Sequence, residues 1–172
     1  YWNFHANFST FYSLDKRVDL NGKRQLYWRD VNIDVERQWN KKWKSLLLYS
    51  YQDNMGHQAH IFVGDVTHKF NRKMSLRFEV QYLLSGDSEW DGVHSDGDWV
   101  AALVEFNLAP RWSFYIQDMY NIGMSKTHYY NGGFSYTYSR TRVQLSYGRN
   151  RAGFICSGGV CRYVPASKGL AL

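Results

Sequence analysis

A histidine and a serine stand side by side in His94-Ser95-Asp96-Gly97, the nearest approach this sequence makes to nucleophilic catalysis. A serine hydroxyl attacks when a facing base takes its proton and a third group orients that base. Neighbours in the chain rarely achieve that geometry, so the segment reads as a polar loop. The same loop carries Asp87, Glu89, Asp91, Asp96 and Asp98, carboxylates that could gather around a divalent cation. They lack the ligand order of a calcium-binding loop. The six histidines are scattered, with no H-E-x-x-H or similar spacing. No catalytic residue, metal site or cofactor is expected, and the chain is not read as an enzyme.

Cys156 and Cys161 enclose Ser157-Gly158-Gly159-Val160, and the glycine pair lets the chain fold back on itself. A local disulfide fits this spacing; the alternatives are two free thiols or half of a metal site, although no C-x-x-C is present. A disulfide would imply an oxidising compartment.

The elements that must position these residues follow from period. Met74, Leu76, Phe78, Val80, Tyr82 and Leu84 alternate with Ser75, Arg77, Glu79 and Gln81, the period of a strand. Similar alternation runs through 2–9, 31–36, 100–108, 130–138 and 143–147. No segment carries a helical stripe. Ten strands are expected, at 1–14, 25–40, 43–53, 58–70, 74–86, 98–108, 112–122, 128–138, 142–155 and from 168. Short turns centre on 41, 72, 110 and 140, while the connectors at 15–24, 53–57, 85–97, 123–127 and 156–167 are mostly longer. This alternation predicts an antiparallel up-and-down meander in one domain, 1–172, laid out like a transmembrane barrel with tight turns at one end and loops at the other.

Composition agrees. Aromatic residues make up 18% of the chain, against a mean hydropathy of −0.53, so the apolar content is aromatic and dispersed. Disorder, collagen and coiled coil are excluded. No apolar run is long enough for a spanning helix. The chain begins at Tyr1 without a Met or a signal peptide, which suggests a mature or trimmed product.

A soluble sheet would turn the apolar face inward, whereas a membrane barrel would turn it to lipid. Strand length and the aromatics at strand ends, such as Trp39, Trp43, Phe70 and Trp112, favour the membrane. The expected lipid-facing set is Phe4, Phe8, Val31, Ile33, Leu76, Phe78, Val80, Val104, Phe106, Phe134, Tyr136 and Leu145. The expected lumen-facing set is Asp34, Glu36, Arg77, Glu79, Gln81, Glu105, Gln117, Asn131 and Gln144. Asp118 resists this frame, following Trp112, Phe114 and Ile116 on the lipid side. Either a bulge near Gln117 sends it inward and Met119 outward, which is the favoured expectation, or that surface meets protein rather than lipid. Asp65 sits on a strand whose frame is ambiguous, after Ile61 and Val63.

The net charge is +6, from 21 Lys+Arg and 15 Asp+Glu. The cations are spread over turns and loops rather than gathered in one stripe, which argues against a nucleic-acid partner and suits solvent or outer-leaflet phosphates.

The stretch from Tyr147 to Ala166, with its Cys-x-Gly-Gly-Val-Cys-Arg-x-Val-Pro-Ala loop, resembles the C-terminal end of an uncharacterised family of Bacteroidota outer-membrane β-barrels. In that family a final strand runs on to a terminal aromatic, and more strands lie upstream. Here Leu170-Ala171-Leu172 stops short, so the resemblance implies a C-terminal portion of a larger barrel in the cell outer membrane. Membrane lipid, lipopolysaccharide and other outer-membrane proteins are the expected partners. Three functions are carried forward: a passive channel or uptake barrel for small solutes, a structural or assembly barrel, and a soluble carbohydrate-binding β domain.

Overall fold

The computed structural model describes residues 1–12, 26–54, 56–86, 97–123, 125–157 and 160–171, the segments 153–157 and 160–164 as backbone alone. The His94-Ser95-Asp96 segment and four of the five loop carboxylates, all but Asp98, lie outside the described residues.

Twelve strands are present: β1 (Trp2–Tyr12), β2 (Leu26–Gln38), β3 (Trp43–Asn54), β4 (His57–Lys69), β5 (Met74–Ser85), β6 (Trp99–Leu108), β7 (Trp112–Asn121), β8 (His128–Tyr138), β9 (Thr141–Asn150), β10 (Gly153–Ser157), β11 (Val160–Val164) and β12 (Ser167–Ala171). Ten form one antiparallel sheet in the order β1-β2-β3-β4-β5-β6-β7-β8-β9-β12, with each strand beside its neighbour in sequence, apart from the step over β10 and β11. No helix occurs among the described residues. The sheet is open, with β1 and β12 as its edges.

Two of the four tight turns share a device. Asn40 Oδ1 accepts from the backbone N–H of Lys42 (2.8 Å) and Trp43 (2.9 Å), and Asn71 Oδ1 repeats this with Lys73 (2.8 Å) and Met74 (2.9 Å). Asparagine occupies both positions because its short carbonyl can close a turn on nearby amides.

The ninth strand was expected to run to 155, with a loop from 156. Instead it stops at Asn150, and 153–157 pairs with 160–164 as a separate two-stranded sheet in which Gly153 faces Val164 and Cys156 faces Cys161. The apolar run Phe154-Ile155 extends the strand pattern in the sequence, but its pairing is with 160–164 and not with the main sheet.

No bulge interrupts β7. Its pairing with β6 and β8 runs unbroken, from Trp112 opposite Leu108 to Asn121 opposite Trp99, so Asp118 stays on the apolar face and Met119 on the polar one. The carboxylate is met by His128 rather than turned inward. The frame of β4 is also resolved: Ile61, Val63 and Asp65 share the polar face, leaving Phe62, Gly64 and Val66 on the apolar face.

Burial is reversed relative to a water-soluble sheet. Among the described residues Trp99 is the one buried hydrophobic side chain, while Ser50, Asp65, Glu79, Asn121 and Ser135 are buried polar groups. The register puts all six on the polar face, which is therefore the enclosed, concave side. On the opposite face Phe4 is 69% exposed, Leu47 66% and Ile116 63%. Curling is helped by Gly133 and Gly148 on the concave side: a Cβ at either would stand 2.5 Å from a backbone oxygen of the adjacent strand. Only glycine permits that approach.

Candidate functional site

Directly opposed residues on neighbouring strands share a face, so the register carries one row across the sheet. Asn3, Glu36, Leu46, Asp65, Glu79, Leu103, Gln117, Asn131 and Gly148 align in succession. The rows on either side add Asp34 and Gln81, then Arg77 and Glu105, and Gln144 pairs with Ser135 nearer the turn end. All nine residues expected to face a lumen thus lie on this polar, concave face. The twelve expected to face lipid lie on the other.

Arg77 organises the polar face. Its Nε donates to Asp65 and its Nη2 to Glu79, while Glu105 Oε2 stands 3.9 Å from Nη1. Thr67 Oγ1 donates to Asp65 (3.4 Å), Gln81 Nε2 to Glu79, and Asn107 Nδ2 to Glu105 (2.6 Å). Burying carboxylates costs several kcal/mol each unless charge and hydrogen bonds compensate. Here one guanidinium and three neutral donors do so. Two smaller pairs lie nearer β1: Lys44 Nζ with Glu36 Oε2 at 2.6 Å, and His5 Nδ1 with Asp34 Oδ1 at 2.8 Å.

Between β5 and the end of β9 the same face sinks into a recess of about 250 Å³, lined by Glu79, Gln81, Leu103, Gln117, Met119, Tyr129, Asn131, Arg149 and Arg151, among others. Tyr115 donates its hydroxyl proton to Asn131 Oδ1 at 2.7 Å. Arg149 lies over the Tyr129 ring (5.4 Å), and Arg151 lies over Trp99 (4.7 Å), reaching from beyond β9 across the concave side to β6. Sequence reasoning missed this recess, because its residues come from five strands and meet only through the register.

The convex face bears aromatics at two levels. Trp43 and Tyr51 on β3, Trp112 and Tyr120 on β7, and Tyr138 and Tyr130 on β8 are each eight positions apart on one face. Eight steps span about 27 Å along a strand. Were the strands tilted by the roughly 40° of membrane barrels, this would come to about 20 Å, against an apolar band of about 25 Å in such barrels. At the tight-turn level Arg37 stacks on Trp39 (3.6 Å) and Trp2 (4.4 Å), and Arg111 on Tyr138 (5.3 Å). At the loop-end level, where Tyr120 faces His128 and Tyr130 faces Asp118, Asp118 Oδ2 meets His128 Nδ1 at 2.6 Å.

The register sets Cys156 opposite Cys161 across the β10–β11 hairpin; their side chains lie outside the described residues. Three or more metal-ligating side chains are nowhere grouped among the described residues.

No curated protein and no solved structure matches the chain. A family model described as a family of unknown function, DUF6029, matches residues 1–172, and the chain belongs to that family.

Proposed function

We propose that the chain is wall of a transmembrane β-barrel in the bacterial outer membrane, its convex apolar face on lipid and its concave polar face lining a path for small solutes. The observation that carries this reading is the reversed burial: polar side chains enclosed, large apolar ones exposed across ten strands. In water such a face would need a second layer to cover it. In lipid it needs none. The two aromatic levels and the tight-turn cations support the same orientation, and so does the resemblance of 147–166 to Bacteroidota outer-membrane barrels. Membrane lipid and lipopolysaccharide are then the partners of the convex face. No reaction is assigned.

A structural barrel with a filled lumen is the second reading, favoured by the self-satisfied network around Arg77. A soluble carbohydrate-binding domain is disfavoured by the uncovered convex face. Fractionation of lysed cells and planar-bilayer recording of the native protein separate the three. A channel fractionates with the outer membrane, leaves it only in detergent and gives discrete conductance steps. Membrane fractionation without conductance favours the filled barrel, and recovery in the aqueous phase overturns the membrane reading.

A further inference from the structure

We propose that the recess between β5 and β9 is a binding site for a polyhydroxylated, carbohydrate-type solute. The inference rests on the polar face being open to solutes and names their class.

The chemistry of the lining decides between ligand classes. Gln81, Gln117 and Asn131 bring three primary amides to one recess, each with two donor protons and an acceptor oxygen. A hydroxyl both donates and accepts, so vicinal hydroxyls can answer such amides in either sense. Gln117 is exposed and has no hydrogen-bonded side-chain partner among the described residues. Asn131 accepts from Tyr115 through Oδ1, which leaves its Nδ2 protons for a ligand. That amide lies over Gly148, where even a Cβ would come within 2.7 Å of Nδ2, so the space beside it is kept clear by glycine.

Charge points the same way. Glu79 is the recess's buried carboxylate, but Arg77 and Gln81 already occupy its oxygens. It can accept a further hydroxyl proton without requiring a cation. Leu103 and Met119 provide an apolar floor for the C–H face of a sugar ring. The guanidinium of Arg149, held over Tyr129, supplies donors at the loop end for a hydroxyl or an acidic substituent. At about 250 Å³ the recess falls below the ~300–1,000 Å³ of drug-sized sites, which suits one ring-sized unit of a longer chain.

The test is isothermal titration of the native protein in detergent micelles with maltotriose, trigalacturonate and triglycine. Saturable binding of either saccharide is expected, weakened about tenfold by Gln117→Ala or Asn131→Ala, since each removes a hydrogen-bonding group. Gln117→Asn, which keeps the amide, should retain part of the affinity. Gln144→Ala, on the same face outside the recess, should leave it unchanged. A preference for trigalacturonate that disappears in Arg149→Gln would identify an acidic saccharide, and equal binding of both a neutral one. Absence of saccharide binding, binding insensitive to Gln117→Ala, or triglycine bound in place of the saccharides would overturn the proposal. The titration does not depend on conduction: conductance without saccharide binding sinks this inference alone, and binding without conductance sinks only the channel.

Discussion

Asp118 Oδ2 lies 2.6 Å from His128 Nδ1 on the convex face, two positions from Tyr120 and on the same side of β7 as Phe114 and Ile116. The ring of Tyr120 packs against His128 at 4.3 Å. A carboxylate on a lipid-facing strand is tolerated when it is paired and close to the interface, where the cost of a charge falls toward about 0–1 kcal/mol. His128 opens β8 at the loop end, so under the proposed membrane reading the pair would lie at that depth. Asp118 Oδ1, however, is buried without a partner. Replacing Asp118 with Leu should therefore be neutral or stabilise the protein by about 1 kcal/mol, whereas His128→Ala should destabilise it by about 1 kcal/mol. Urea unfolding in lipid vesicles measures both. A large loss in Asp118→Leu would mean that the pair holds the β7–β8 junction together.

The two faces should respond oppositely to a new charge. Phe78 and Gln81 lie three residues apart on β5, on the convex and concave faces respectively. Phe78→Arg should cost about 2–4 kcal/mol near the bilayer midplane and Gln81→Arg little. Unfolding in vesicles compares them directly, and equal costs would refute lipid contact at the convex face.

Around Arg77 the expected behaviour is that of a coupled network. Arg77→Met leaves Asp65 and Glu79, each 9% exposed, without their cation. Removing one partner of a fully buried ion pair costs about 3–5 kcal/mol. Because the Arg77 side chain is itself 41% exposed, a loss nearer 2 kcal/mol is expected. Adding Asp65→Asn to Arg77→Met should recover part of it. Additive losses in the double mutant would show that the contacts do not form a unit.

Much of this arrangement is legible in the sequence, because a period of two assigns every residue of a strand to a face once one is assigned. The face of β5 that carries Arg77 and the face that carries Phe78 could be written down from alternation alone. What alternation cannot supply is register. Ile61-Phe62-Val63 is apolar in both frames, and only the pairing of Asp65 with Glu79 resolves it. Asp118 was misread because the cost of a charge in lipid suggested a bulge, while the partner that relieves it, His128, lies across a turn on the next strand. The recess is harder still, since Glu79, Gln117 and Asn131 become neighbours only when three registers are known together.

Cys156 and Cys161 face each other across a two-stranded hairpin. Opposed residues in such a ladder have Cα atoms about 4.5–5.5 Å apart, within the roughly 4.4–6.8 Å that a disulfide spans. The pair should be oxidised in protein taken from cells without reductant, and the bond should stabilise the hairpin by roughly 2 kcal/mol. Mass spectrometry after alkylation, with and without reduction, decides the matter. Two thiols alkylated without reduction would also remove the argument for an oxidising compartment.

The last expectation concerns the edges. β1 offers eleven residues with one side of the backbone unpaired, and β12 covers only the loop-end half of β9, pairing Ser146 to Asn150 and leaving Thr141 to Leu145 open. In hydrocarbon each unsatisfied backbone group costs several kcal/mol, so a spanning sheet cannot keep such edges. Phe4 and Phe8 on β1 are among the most exposed apolar side chains, so under the proposed membrane reading this edge would lie in hydrocarbon. In the membrane-embedded native protein, further strands should therefore pair with β1 and with the open half of β9. Hydrogen exchange reads this residue by residue: amides of β1 that point away from β2 should be as protected as those that point toward it. Rapid exchange at alternate residues of β1, with slow exchange at those between, would mean that the edge is free and that the sheet does not sit in lipid as a closed wall.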